Sequence, residues 1–396
     1  MKKIRVLFVH NYYQFRGGED EMADLDTKLL EKNGHDVFFF WKHNKEINNY
    51  SPTEKISLVL KPTFSLQIYF KILKIISEFR PDVIHINNFF PLISPSVIYA
   101  GLRKKVPVVM SLHDFRLICA NGLLLRNSKI CEKCFDSPIF SLIYGCYRNS
   151  RTQTFPVYLM ISLHKVLDTW SKGISAFITP SDFVRRKFID AGFAANKIFV
   201  RPNYVEDDFV RRFENRGFQK GNYFVFVGRL SEEKGIKILL SAWDILKKEN
   251  LRFKLKIAGD GPLMGYVRAK ARENDLVEVL GFVKKENLVG VIAEAKAMIV
   301  PSIWYEVFGR TVIESYALGT PVLASKIGAL KDIVIDGVTG ALFEPTPQNI
   351  IGKIKNTTPE EIKSWGQNAR KEYLNKYTEE IAYNNLIAIY ESVVNT

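Results

Sequence analysis

Twelve short apolar runs rich in β-branched residues, separated by longer helix-patterned stretches, constrain this chain more than any other feature. In the first half they fall at residues 4–9, 36–41, 82–86, 106–112, 176–179 and 197–200; in the second at 223–227, 254–258, 277–280, 297–300, 321–324 and 341–343. Runs that stay apolar, without polar alternation, fit parallel strands buried on both faces, and the intervening stretches are long enough for crossover helices. The expected class is therefore α/β: two Rossmann-like domains facing across a cleft. A length of 396 residues supports two cores better than one. The first domain is expected over 1–202, with a Cys-rich loop at 115–151. The boundary lies near Arg201-Pro202-Asn203-Tyr204, followed by a polar, charged stretch at 206–222. The second domain is expected over 203–375. Residues 376–396 read as a C-terminal helix packing back on the first domain, with Ile381, Tyr383, Leu386, Ile389, Tyr390 and Val393 on its apolar face.

Apolar residues at 47% and charged residues at 25% exclude a largely disordered chain. No run of eighteen apolar residues is present, and Met1-Lys2-Lys3 leads straight into the first strand without a signal-peptide pattern, so a cytoplasmic protein is expected. Of the net charge of +14, +11 lies in residues 1–200 and +3 in residues 201–396. A basic half favours an anionic partner: an acidic membrane face, a phosphorylated acceptor or nucleic acid. No zinc-finger, RNA-recognition or helix-turn-helix pattern accompanies it, so no nucleic-acid partner is expected.

Ligands of open α/β sheets bind beyond the carboxyl ends of the strands. After the first strand, Gly17 and Gly18 precede a helix, where backbone can approach a ligand and the helix end favours an anion. The spacing is not G-x-G-x-x-G, and Gly259-x-Gly261-x-x-x-Gly265 is off by one with Pro262 in the turn; both disfavour a nicotinamide cofactor. At 228–235 Arg229 and Lys234 place a planar fork and a mobile point charge where a diphosphate would leave. Between 301 and 314, Glu306 falls in a loop and Glu314 more than a turn inside a helix that starts near Gly309 and stops at Gly319. A carboxylate accepts hydrogen bonds from vicinal hydroxyls, so one glutamate suits a hexose and the other a ribose. The competing reading of Glu314 is a helix-surface pair with Arg310, four residues earlier.

These residues in this order, Gly228-Arg229…Lys234-Gly235, Ala258-Gly259-Asp260-Gly261-Pro262, Gly281-Phe282-Val283, Glu306-x7-Glu314 and Gly319-Thr320-Pro321-Val322…Gly328, resemble family four of the nucleotide-sugar glycosyltransferases, retaining enzymes of the GT-B fold. The resemblance implies that Arg229 and Lys234 bind the donor diphosphate and Glu306 the transferred sugar. The amides of Phe308 and Gly309 would sit beside Glu306, Glu314 would hold the ribose, and Gly281, Phe282 and Val283 would face the base. It implies that Gly17 and Gly18 close over the donor phosphates, and it covers His113-Asp114, where the His113 imidazole is placed to bond a sugar hydroxyl or the reacting centre. Asp114 and Arg116 are the candidates on the acceptor side. Val307 stands where many members have proline, and Arg310 where many have an aliphatic residue, which adds a cation to the donor-binding set. The implied reaction is front-face transfer of a sugar from a UDP- or GDP-type donor to a glycan or lipid-linked acceptor, in cell-surface polysaccharide synthesis at the inner face of the plasma membrane. It needs no cofactor. A nucleotide-sugar epimerase of the same architecture and a non-catalytic nucleotide-sugar-binding protein are the alternatives.

Two features lie outside this set. Cys119, Cys131, Cys134 and Cys146, spaced C-x11-C-x2-C-x11-C, suit a structural zinc or remain free thiols. The segment 66–79 is apolar around much of a helix and carries Lys71 and Lys74; it reads as a helix packed on the sheet, or as a peripheral contact with an anionic membrane.

Overall fold

A computed structural model of the chain describes residues 3–214 and 220–394, so the extreme termini and residues 215–219 of the polar stretch at 206–222 lie outside the described residues. The chain divides into two compact units. One holds residues 1–126, 131–201 and 383–396, the other residues 127–130 and 202–382.

All twelve apolar runs are strands. In the first unit β1 (Arg5–Tyr12), β2 (Asp36–His43), β3 (Val83–Ile86), β4 (Val108–Ser111), β5 (Ala176–Thr179) and β6 (Ile198–Val200) form one parallel sheet in the order β2-β1-β3-β4-β5-β6. The central strands are sealed on both faces: Val6 to Val9, Val83 to Ile86 and Val108 to Ser111 are all buried. This is why they read as continuous apolar runs. In the second unit β7 (Tyr223–Val227), β8 (Lys254–Ala258), β9 (Val277–Gly281), β10 (Met298–Val300), β11 (Val322–Ser325) and β12 (Gly340–Phe343) form a second parallel sheet, in the order β9-β8-β7-β10-β11-β12. Its core centres on Trp243, fully buried, whose indole N–H donates to the Phe253 carbonyl at 2.8 Å. A large aromatic is thus buried without stranding its one polar atom.

Each sheet has a topological switch, the point where successive strands stop adding to one side and start on the other. In the first unit it falls between β1 and β3, in the second between β7 and β10. Crevices at such points are where ligands bind in folds of this kind.

The helix Leu66–Phe79 packs on the first unit through Ile68, Ile72, Ile75 and Ile76, while Leu66 and Phe70 stay 65% and 63% exposed beside Lys71 and Lys74. The final helix, Glu379–Val394, runs into the first unit. There the hydroxyls of Tyr383 and Tyr390 meet His35 Nε2 at 2.8 Å and His85 Nδ1 at 2.6 Å. At the end of β6, Arg201 grips Asp26 with both amino groups, at 2.9 and 2.7 Å, and both side chains are almost wholly buried. Removing one partner of such a buried pair costs about 3–5 kcal/mol, because the other charge is left uncompensated. Among the described residues no helix is long and apolar enough to cross a membrane.

Candidate active site

In the second unit, the switch brings together the loops that follow β7 and β10. The loop after β7 makes a single 3-10 turn, Glu232–Lys234, and ends at Gly235 with φ +71°. A Cβ on Gly235 would stand 1.8 Å from the Pro301 carbonyl oxygen, so only glycine lets the two loops touch backbone to backbone. That approach places Lys234 Nζ 2.6 Å from Glu306 Oε1, and Ser302 Oγ donates to the same oxygen at 2.6 Å. Burial by itself would push the Glu306 carboxyl up; the Lys234 charge and the hydrogen bonds from Lys234 and Ser302 outweigh it and hold the carboxyl below its ordinary value. The loop after β11 seats Glu306 from behind. Ala329 N–H donates to the Glu306 carbonyl at 2.9 Å, and Gly328, at φ +58°, leaves no room for a side chain against the Glu306 amide.

Two residues read separately in the sequence, one for phosphate and one for sugar, are therefore partners. An ammonium has three hydrogens, and Lys234 is still partly exposed, so it can keep Glu306 and meet an anion as well. Arg229 is exposed at the carboxyl end of β7 and, among the described residues, has no ion pair. Glu314 lies inside the helix Arg310–Ala317, whose first position follows Gly309 in a left-handed conformation. Its partner is Arg310, 3.3 Å away, but the pair is no surface pair: both side chains are nearly buried. Arg310 also reaches Glu206, which in turn pairs with Lys285. The extra cation thus belongs to an alternating row of four charges, Lys285, Glu206, Arg310 and Glu314. Phe308 is buried, whereas Phe282, after the positive-φ Gly281, is 78% exposed with Val283 beside it. An aromatic face presented this way offers a stacking surface.

In the first unit, the switch is lined by Glu19, Asn87, Asn88, His113, Asp114 and Arg116, among others, around a solvent-open recess of about 360 Å³. His113 Nε2 lies 2.9 Å from Asn87 Oδ1. Burial is the main reason its pKa falls to about 4; the Asp26 charge opposes that, and His10 and Arg201 add to it. His113 is therefore neutral at pH 7. Tyr13 hydroxyl donates to Glu19 at 2.8 Å, and Glu19, desolvated and facing Asp114, has its carboxyl raised well above the ordinary range. Asp114 caps the Arg116 amide at 2.7 Å, and the Arg116 guanidinium sits 3.6 Å from the Asp114 carboxylate and stacks over Phe90 at 4.9 Å.

Gly17 and Gly18 open the helix Gly18–Lys32, but its first turn carries Glu19, Asp20 and Glu21, and Asp20 already accepts the Gly17 N–H at 3.0 Å. Asp20 and Glu21 oppose the positive helix end at this turn, while the Glu19 carboxyl is raised by burial. Neither glycine has a neighbour within reach of a Cβ, which leaves open space beside both. The four cysteines are free thiols, and among the described residues no group of three or more His, Cys, Asp or Glu side chains is set to hold a metal ion. Burial raises the Cys119 thiol and pushes Cys134 up to about 12 and Cys146 to about 11, the last two raised further by the neighbouring cysteines, while Cys119 donates to Asn121 at 3.0 Å. A structural zinc at Cys119, Cys131, Cys134 and Cys146 stays a proposal for metal analysis to test.

The sequence reading passed over Asn87, Asn88, Glu19, Ser302 and Glu206. Asn87 and Asn88 directly follow β3, one side of the first switch, so the rule of strand carboxyl ends pointed to them. Ser302 and Glu206 carry no such signal, because their partners come from folding.

Residues 208–372 match the family model for glycosyl transferases group 1, and residues 27–209 that for glycosyltransferase family 4. The alpha-monoglucosyldiacylglycerol synthase of Streptococcus pneumoniae is 27% identical over 365 residues, covering 85% of this chain and 74% of that protein. Among solved structures, a glycosyltransferase from Rickettsia africae aligns over 100% of both chains with a TM-score of 0.69 at 17% identity. Anabaena Alr3699/HepE, solved in complex with UDP, aligns over 98% of this chain and 100% of its own with a TM-score of 0.68 at 19% identity. At such identities the two structures establish a shared GT-B fold.

Proposed function

The chain belongs to the group 1 glycosyltransferases, and on that premise we propose that it moves a sugar, with retention, from a UDP- or GDP-type donor to a glycan or lipid-linked acceptor. The observation that carries this reading is the Lys234–Glu306 pair at the second unit's switch, 2.6 Å apart and joined by Ser302. A diphosphate leaving group is already a stable anion, so it needs cations more than a proton donor; Lys234 and Arg229 supply them. Glu306 is held ionised, and an ionised carboxylate accepts from sugar hydroxyls. No side chain is assigned as a nucleophile. A front-face path fits, in which the acceptor hydroxyl attacks from the side the diphosphate leaves and a phosphate oxygen takes its proton. Glu314 binds the ribose, Phe282 stacks on the base, and Arg310 holds Glu314 in place.

The test is thermal denaturation with UDP, GDP, ADP and dTDP, followed by the matching sugar nucleotides; UDP comes first because it is bound in the Anabaena structure. A nucleotide at a hundred times its Kd adds about 2.7 kcal/mol of stability, a readily measured rise in Tm. Lys234→Ala should abolish that rise. No stabilisation by any of the four, or an unchanged rise in the variant, ends the reading.

The acceptor side rests on a separate observation. Ile56, Leu60, Leu66 and Phe70 are exposed apolar side chains in a short stretch with Lys55, Lys61, Lys71 and Lys74. Apolar residues fringed by lysines suit the surface of an anionic bilayer. A lipid-linked acceptor at the inner face of the plasma membrane, in surface-polysaccharide or glycolipid assembly, accords with this patch and with the glycolipid-synthase relative. Flotation with phosphatidylglycerol vesicles should carry the protein up at low salt and release it at high salt; Lys71→Glu/Lys74→Glu should sediment throughout.

A further inference from the structure

Four side chains of the first unit form a continuous hydrogen-bonded line for which the reaction scheme above has no use. Asp20, His10 and Asn87 are buried, and His113 ends the line at the recess. Asp20 Oδ1 lies 2.9 Å from His10 Nε2, Asn87 Nδ2 lies 3.1 Å from His10 Nδ1, and His113 Nε2 lies 2.9 Å from Asn87 Oδ1.

The orientation of Asn87 decides the protons on both rings. Its Nδ2 also faces the Glu19 carbonyl oxygen at 3.4 Å, and a carbonyl only accepts. The amino end of the amide is therefore there, and Oδ1 faces His113. Because Oδ1 has no hydrogen to give, His113 Nε2 must carry one. By the same reasoning His10 Nδ1 accepts, and His10 Nε2–H donates to Asp20. The reverse orientation would set two oxygens against each other beside Glu19 and require a charged His10. His113 Nδ1 is then a lone pair with no partner among the described residues.

The same recess contains a second loose end. Asn88 is 9% exposed; its Oδ1 accepts the Phe90 N–H at 2.8 Å, and its Nδ2 is buried without any partner. A buried donor left unpaired is costly unless a ligand takes it. One lone pair and one spare hydrogen on the wall of a recess are the complement of a hydroxyl-bearing ligand.

We propose that Asp20, His10 and Asn87 are positioning residues that lock His113 in the tautomer whose Nδ1 accepts a hydrogen bond from a substrate hydroxyl, while Asn88 Nδ2 donates to a hydroxyl oxygen in the same recess. The substrate half of this inference rests on the sugar-transfer reading; the tautomer half does not.

The experiment uses full-length protein labelled with ¹⁵N-histidine. Long-range proton–nitrogen spectra at pH 7.5 separate protonated from unprotonated ring nitrogens, and His113→Gln and His10→Gln assign the signals. The expected wild-type pattern is a protonated Nε2 and a bare Nδ1 on His113. Asn87→Leu should mix the two tautomers and lower turnover about tenfold or more, with nucleotide affinity unchanged, because the nucleotide is held elsewhere. Asn87→Asp keeps an acceptor for His113 Nε2–H and obliges His10 to meet its second oxygen with a proton on Nδ1; it should restore the single His113 tautomer and part of the rate. If the leucine variant does not fold, the wild-type and aspartate spectra still decide. Asn88→Ala should raise KM for the substrate whose hydroxyl it meets. A protonated Nδ1 on His113, or wild-type turnover in folded Asn87→Leu, overturns the inference even if the protein transfers sugar. The stated tautomer in a protein that transfers no sugar sinks the substrate half together with the functional reading.

Discussion

The two switch points are built on the same strand geometry and carry opposite chemistry. In the second unit the crevice is organised by charge: Lys234 against Glu306, and Arg310 between Glu206 and Glu314. In the first it is organised largely by uncharged hydrogen bonds, with a neutral His113 at the end of an amide-and-imidazole line and the Glu19 carboxyl raised by burial and Asp114. The fold sets where a crevice opens, and the loops set what it can hold. Fixed charge suits a phosphate group, while a lone pair and an amide hydrogen suit a hydroxyl.

The strongest way to break this comparison is to remove charge from the charged side. Lys234→Ala should cut turnover about a hundredfold, roughly 2.7 kcal/mol of barrier, and should also lower Tm because Glu306 loses its buried counter-ion. Steady-state kinetics with the best donor and a melting curve check both. Lys234→Arg, too large and planar for the same contact, should rescue Tm more than rate. Near-normal turnover in Lys234→Ala would make the two crevices alike in function.

Acid should separate the two units next. His113 and His85, with pKa values lowered to about 4 and about 3 by burial, are neutral when folded but protonated when unfolded below about pH 6.5; His35 and His164 are lowered too. Between those limits the unfolded state binds more protons, so stability falls as pH drops from about 6.5 towards 4. All four belong to the first unit. Glu19, raised in the same unit, works against this, since its folded form gains a proton first. In the second unit Glu306 is lowered, so its contribution stays until pH falls through its folded value, below the ordinary carboxylate range. Hydrogen exchange at pH 7 and pH 5, corrected for intrinsic rate, should show protection lost mainly in β1, β3 and β4. Equal loss in β7 and β10 would remove the contrast.

Smaller effects sharpen it. Phe282→Ala should weaken nucleotide binding by about fivefold to tenfold without changing Tm, since the ring is already exposed and only stacking is lost. Titration calorimetry measures the first and a melting curve the second. The smallest expected effect is that of a chelator: with no group of three or more ligating side chains set to hold a metal ion among the described residues, EDTA should change neither Tm nor rate. One equivalent of zinc in untagged protein would establish a structural zinc at the four cysteines.

Much of this protein was legible in its sequence. Strands buried on both faces leave continuous apolar runs, and all twelve were found from that pattern alone. The helices Leu66–Phe79 and Glu379–Val394 were found from their periodicity. The motif residues of the second half fell at strand carboxyl ends because local order fixes which residue follows which strand. Partnership was not legible. Nothing in the chain says that Lys234 meets Glu306 across 72 residues, that Arg310 is shared between Glu314 and Glu206, or that Asn87 joins His10 to His113. Apolar burial is read by water, residue by residue, and so leaves a periodic trace in the sequence. A hydrogen bond between distant loops depends on ångström-scale placement that only the packed sheets supply, and no local pattern records it.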